Sequence, residues 1–221
     1  MREEPILWRP GQSVPAVFEG PAGAGPAILL APGAGAGQGH AFLSGLRRRL
    51  AVAGHLVMTF DYPYTAAGRR TPDRLNVLLE CHRAAARRLR RESGELVLAG
   101  KSMGGRVATH LAAGGEACRA VICYGYPLLP PGKTAPRDTA HLEAIGVPLL
   151  FLTGSRDRLA PLDLLSPVVA RLPRARLVAV EGADHSFGVR ADPDSRGEAM
   201  LDLLAAETAK WLAGPEGGGG G

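Results

Sequence analysis

The chain has 221 residues, 46% of them hydrophobic and 21% charged, the balance of a soluble globular domain with enough length for a substantial core. Its net charge of +5 comes almost wholly from arginine, and the densest run, "RAAARRLRR" at 83–91, reads as a solvated helix face without interleaved aromatics, so nucleic acid is not an expected partner. Cys81, Cys118 and Cys123 lack paired spacing and the six histidines lack ligand spacing, which excludes a disulfide framework and gives a metal site no support.

The opening "MREEPILWRP" holds acidic residues and no apolar run, and no apolar stretch of spanning length follows. A cytoplasmic protein with no membrane partner is the expectation. In chain order, "AVFEG" (16–20) reads as an antiparallel hairpin strand at a sheet edge. Short apolar runs follow: "PAILLAP" (26–32), "LVMTFDYP" (56–63), "ELVLAG" (95–100), "RAVICYGYP" (119–127), "VPLLFLTG" (147–154) and "RLVAVEG" (176–182). Amphipathic segments near 41–53, 73–91, 103–113, 161–172 and 195–213 read as helices. Within 83–91, Arg83, Arg87 and Arg90 make an outer stripe while Ala84, Ala85 and Leu89 turn inward. Apolar strands separated by helices predict an α/β fold: a doubly wound, mainly parallel sheet with helices on both faces. One domain over 1–213 is expected, then a floppy Gly-rich tail at 214–221. The connection 128–146 is too short for a lid domain and suits a loop with one or two helical turns.

Chemistry concentrates where predicted strands end. Gly100, Ser102 and Gly104 form G-x-S-x-G between a strand and a helix, a setting that puts a serine on a strained turn with its hydroxyl beyond the sheet. Such a hydroxyl needs a base, and the base needs an orienting carboxylate. Asp157 follows the strand at 147–154, and His185 lies in the loop after 176–182. Ser102, Asp157 and His185 thus occur in that order, each past a separate strand, on the edge where parallel sheets bind ligands. Asp184 and Asp61 are competing acids, and Asp157 is preferred. Oxyanion donors are expected from the N–H of Met103 and, in the Gly-rich loop "GAGAGQGH" (33–40), from that of Ala34. That loop lacks the ending of a P-loop, so no nucleotide cofactor is expected. His40 reads first as a helix-start residue near the site. The four tyrosines fall at strand ends; Tyr62 and Tyr124, with Phe187 two residues past His185, are candidate substrate-lining aromatics.

"LLAPGAGAG", "FDYPY", "GKSMGGR", "LTGSRD" and "DHSF" together resemble the small lidless α/β-hydrolases related to dienelactone hydrolase. "GKSMGGR" is similar to the branch that includes subunit three of the NSL histone-acetylation complex and its bacterial relatives. The resemblance spans nearly the whole chain and implies nucleophile Ser102, acid Asp157, base His185 and oxyanion donors Ala34 and Met103. It departs from the common pattern in having Pro32 rather than histidine before Gly33, and in a serine where dienelactone hydrolases proper use cysteine. The expected activity is therefore a cofactor-independent serine hydrolase, a carboxylesterase for small or soluble esters. Thioesterase and peptidase share every residue named, and some relatives serve as noncatalytic interaction subunits. Oligomeric state, homo-oligomers included, is left open.

Overall fold

Among the described residues, eight strands form one sheet in the order β1-β2-β4-β3-β5-β6-β7-β8, and from β4 to β8 every neighbour runs parallel. The computed structural model describes residues 1–23, 25–188 and 195–214, apart from the side chains of residues 195 and 196. The central strands are β3 (Ala27–Ala31), β4 (Val57–Phe60), β5 (Leu96–Lys101), β6 (Ala120–Tyr124) and β7 (Leu149–Gly154), and each is buried along its whole length. Continuous apolar runs such as "AILLA" and "AVICY" are what a strand covered on both faces demands. β8 (Ala175–Val180) is half exposed and closes one edge.

Because side chains alternate along a strand, each strand feeds two cores. On one face Leu29, Leu98, Val121 and Phe151 pack with helices α3 (Leu75–Arg90), α4 (Met103–Ala113) and α5 (Leu162–Ala170). On the other, Ile28, Leu30, Val97, Ile122 and Leu150 meet α1 (Ala41–Val52) and α6 (Ser195–Ala213). A fully buried aliphatic side chain of this kind contributes about 1.5–3 kcal/mol. Among the described residues no lid domain interrupts the sheet, and the 128–146 connection carries a single 3₁₀ helix, Ala140–Ala144.

The predicted edge strand needs correcting. β2 (Gln12–Glu19) lies inside the sheet, antiparallel to β4, and β1 (Arg2–Arg9) takes the outer position by hairpin pairing with β2. Gly11, at φ 71°, supplies the left-handed turn between them. A one-turn helix α2 (Pro63–Ala66) also follows β4, at a place read only as a strand end. The tail expected to be floppy falls, from residue 215 onward, outside the described residues.

Candidate active site

β5 ends at Lys101 and α4 begins at Met103, so Ser102 alone makes the connection, at φ 49° and ψ −114°. A non-glycine residue there stores on the order of 1–3 kcal/mol of strain. The flanking glycines make this corner sterically feasible. A Cβ on Gly100 would come within 2.3 Å of the Gly104 carbonyl carbon, and one on Gly104 within 2.5 Å of the Ala31 carbonyl oxygen. Strand and helix therefore cross at a separation no other residue allows.

The ends of β5, β7 and β8 bring three side chains into one line. His185 Nε2 lies 2.9 Å from Ser102 Oγ, and His185 Nδ1 lies 2.8 Å from Asp157 Oδ2. Asp157 is 2% exposed, and its other oxygen accepts the N–H groups of Leu159 (2.8 Å) and Ala160 (3.2 Å). A carboxylate committed in this way only accepts, so the proton between it and the ring belongs to Nδ1. Nε2 then presents its lone pair to the serine hydroxyl. The competing acids are engaged elsewhere. Asp61 Oδ1 accepts the Gln38 N–H at 2.6 Å, and burial pushes its carboxyl above the usual range. Asp184 Oδ1 accepts from the Ser186 N–H (2.9 Å) and hydroxyl (2.6 Å), shaping the loop that carries His185.

Beside the serine opens a cleft of about 550 Å³, whose lining includes Ala34, His40, Phe42, Leu43, Pro131 and Leu159. Ala34 stands exposed on the loop after β3, while Met103, as the first residue of α4, has an N–H without an intrahelical acceptor. The loop is braced from below: the Gly35 N–H donates to the Tyr64 hydroxyl at 3.0 Å, and Asp61 holds Gln38. His40 caps α1, its Nδ1 accepting the Phe42 N–H at 3.3 Å, and it also borders the cleft.

The expected aromatic lining is not what borders this cleft. Tyr62 is fully buried with its hydroxyl 3.0 Å from His82 Nδ1, and Tyr124 is fully buried with its hydroxyl 2.8 Å from Thr208 Oγ1 of α6. Each ring serves the core and each polar tip has an internal partner, the ordinary fate of a buried tyrosine. Phe187 is fully buried too, its centroid 5.8 Å from that of Phe42, and it is Phe42 that reaches the cleft. Phe42 carries no motif to mark it, only its position two residues into α1.

Lys101 is a second cleft residue that no motif marks. It is 9% exposed, borders the cleft, and points its ammonium toward the rings of Phe187 (5.4 Å) and Phe42 (5.7 Å). Burial brings its pKa down to about 8, opposed in part by the negative charges of Asp157 and Asp184. Its signal in the sequence was adjacency to the serine within "GKSMGG".

A family model described as an alpha/beta hydrolase domain matches residues 24–213. Among solved structures, the chain is similar to an alpha-beta serine hydrolase homologue from Coxiella burnetii, at 18% identity and a TM-score of 0.75 over 96% of this chain and 97% of that one. It is also similar to dienelactone hydrolase from Anabaena variabilis (21% identity, TM-score 0.73, 96% of each chain). A Xanthomonas campestris serine hydrolase described as lacking a lid matches at 18% identity and a TM-score of 0.72, over 96% of this chain and 95% of that one. At these identities the likeness speaks to the fold alone.

Proposed function

This chain belongs to the alpha/beta hydrolase family, and we propose that it is a serine hydrolase, a carboxylesterase for small or soluble esters. The observation that carries the reading is the unbroken hydrogen-bond line from Asp157 through His185 to Ser102, with the serine held at a positive φ on a helix N-terminus. His185 Nε2 takes the hydroxyl proton as Ser102 Oγ attacks the ester carbonyl, and Asp157 stabilises the imidazolium that forms. The N–H groups of Met103 and Ala34 receive the oxyanion, each such donor being worth roughly a hundredfold to a thousandfold in rate. His185 returns the proton to the departing alcohol, and water repeats the sequence on the acyl-enzyme. No cofactor enters the cycle.

The open cleft supports substrates with compact acyl groups, which would meet the apolar lining of Phe42, Leu43, Pro131 and Leu159. Within the family, "GKSMGGR" supports placement in the branch that includes subunit three of the NSL complex. A noncatalytic interaction role would leave the strained serine and its bonded histidine without a physical purpose.

Incubation with a fluorophosphonate followed by intact-mass measurement tests the reading. A single adduct on the wild type that maps to Ser102, and is absent from Ser102→Ala, is expected. Folded wild-type protein that gains no adduct would rule the activity out. Comparing acetyl, butyryl and longer p-nitrophenyl esters with thioesters then assigns the substrate class.

A further inference from the structure

The cleft beside Ser102 has a closed end and an open one, and burial tells them apart. Of its lining residues, Ala34, His40 and Pro131 are exposed, whereas Phe42 and Leu43 are each 1% exposed. A side chain that borders a cleft yet keeps nearly all of its surface packed inward belongs to the floor. Phe42 and Leu43 are the second and third residues of α1, and the first turn of that helix is fixed by the His40 ring, which accepts the Phe42 N–H. The floor is thus part of a capped helix start, which yields less readily than a loop.

The packing behind Phe42 leaves its ring nowhere to retreat. It stands edge-on to Tyr124 with centroids 5.9 Å apart, lies 5.8 Å from the Phe187 ring, and has the Lys101 ammonium 5.7 Å from its centroid. Tyr124 and Phe187 are fully buried, and the Tyr124 hydroxyl is tied to Thr208 of α6. Phe187 has a backbone φ of 58°, and among the described residues Ser102 is the one other non-glycine residue at positive φ. A bulky residue keeps such a conformation only where its surroundings hold it, and such residues gather at functional sites. At Ser102 the strain serves the strand-to-helix corner. At Phe187, two residues past His185, the same kind of strain sets a second aromatic ring against Phe42.

We propose that Phe42 is the specificity-determining residue of this cleft: backed by Tyr124 and Phe187, it closes the acyl end and sets the longest acyl chain that Ser102 accepts. The proposal rests on the serine-hydrolase reading above and narrows its substrates to esters of short-chain acids. The acyl group stays on Ser102 after the alcohol has left, so a closed end suits the acyl chain and the open mouth suits the departing alcohol. A methylene that finds apolar contact inside the cleft raises kcat/KM by about fourfold. One pressed against a wall that cannot retreat lowers it by about tenfold.

The test is kcat/KM for p-nitrophenyl esters from acetate to decanoate and for alkyl acetates from ethyl to octyl, normalised to the fluorophosphonate titre. It is made on wild type, Phe42→Ala and Phe42→Leu, with the melting temperature of each. In the wild type the acyl series should rise and then break downward, and the alkyl acetates should show no break. Phe42→Ala should carry the break to chains longer by about three carbons and raise the ratio of long-chain to acetate kcat/KM by on the order of a hundredfold. Phe42→Leu, which leaves a smaller void, should carry the break by about one carbon. Loss of stability alone does not move a ratio of two substrates measured on the same titrated sites. A labelled wild type with no break up to decanoate, a folded variant whose break stays in place, or a break in the alcohol series instead would overturn the role of Phe42 and leave the hydrolase reading standing. A folded wild type that neither takes the label nor cleaves any ester would overturn both.

Discussion

Asp157 divides its two oxygens, one to the backbone of Leu159 and Ala160 and one to His185, and that division sets the tautomer of the ring. Asp157→Asn keeps the shape and alters the donor pattern: the carboxamide has one acceptor oxygen, already claimed by two N–H groups, and its nitrogen would face the ring as a donor. The ring then turns its lone pair toward position 157 and its N–H toward Ser102, which leaves the serine without a base. We expect kcat to fall by on the order of ten-thousandfold, with KM changed little. Stopped-assay kinetics on an activated ester, with the rate of fluorophosphonate labelling alongside, checks this. A fall below about tenfold would mean that another group orients the histidine.

The loop between β3 and α1 carries one proposed oxyanion donor, and its shape depends on groups from the next crossover. Tyr64, in α2, receives the Gly35 N–H, and its hydroxyl lies 3.5 Å from the Gly33 carbonyl to which it donates. Tyr64→Phe removes both bonds while keeping the ring packed, so kcat should drop about tenfold while KM and the melting temperature move little. An unchanged kcat would show that the loop holds its form without the brace. The parallel strands were legible because their apolar runs are uninterrupted, and the elbow was legible because Gly100 and Gly104 bracket Ser102 between two such patterns. β1 was not legible: of its eight residues only Ile6 is buried, and Arg2 and Arg88 cover Phe18 from outside with their guanidinium groups. Its pairing comes from backbone hydrogen bonds that leave no trace in composition. Tyr62 and Tyr124 were misplaced for a related reason. A tyrosine at a strand end satisfies the same pattern whether its hydroxyl meets a substrate or an internal partner, and only the packing of His82 and Thr208 decides.

Across the molecule, two arginines of the α3 stripe, Arg83 and Arg90, share Glu116 at 3.3 and 2.9 Å, and Arg88 beside the stripe pairs with Glu4 at 2.6 Å, so much of the positive charge is neutralised where it is densest. Five histidines shift in the same direction. Burial lowers the pKa of His40, His55, His82, His110 and His141, taking His82 to about 3 and His110 to about 4. The unfolded chain binds a proton at each of these rings near pH 6.5, while the folded chain refuses it until lower pH. Stability is therefore greatest above about pH 6.5 and declines as the pH falls toward 4, with His82 alone contributing a slope of ~1.4 kcal/mol per pH unit at most. Glu4, Glu80 and Glu92, whose pKa values are lowered by hydrogen bonds to Arg88 and Arg9, lose their contribution in the lower part of that range. Asp61, raised by burial, acts in the opposite sense, since the folded chain holds its proton more tightly than the unfolded one. The histidines outnumber it, so the melting temperature should fall steadily between about pH 6.5 and about pH 4. His82→Gln keeps a partner for the Tyr62 hydroxyl and removes the titrating ring, and it should flatten that slope in calorimetric scans at successive pH values. A slope identical to that of the wild type would show that His82 does not carry the acid sensitivity, which would then rest with the other four histidines and the carboxylates of the surface network.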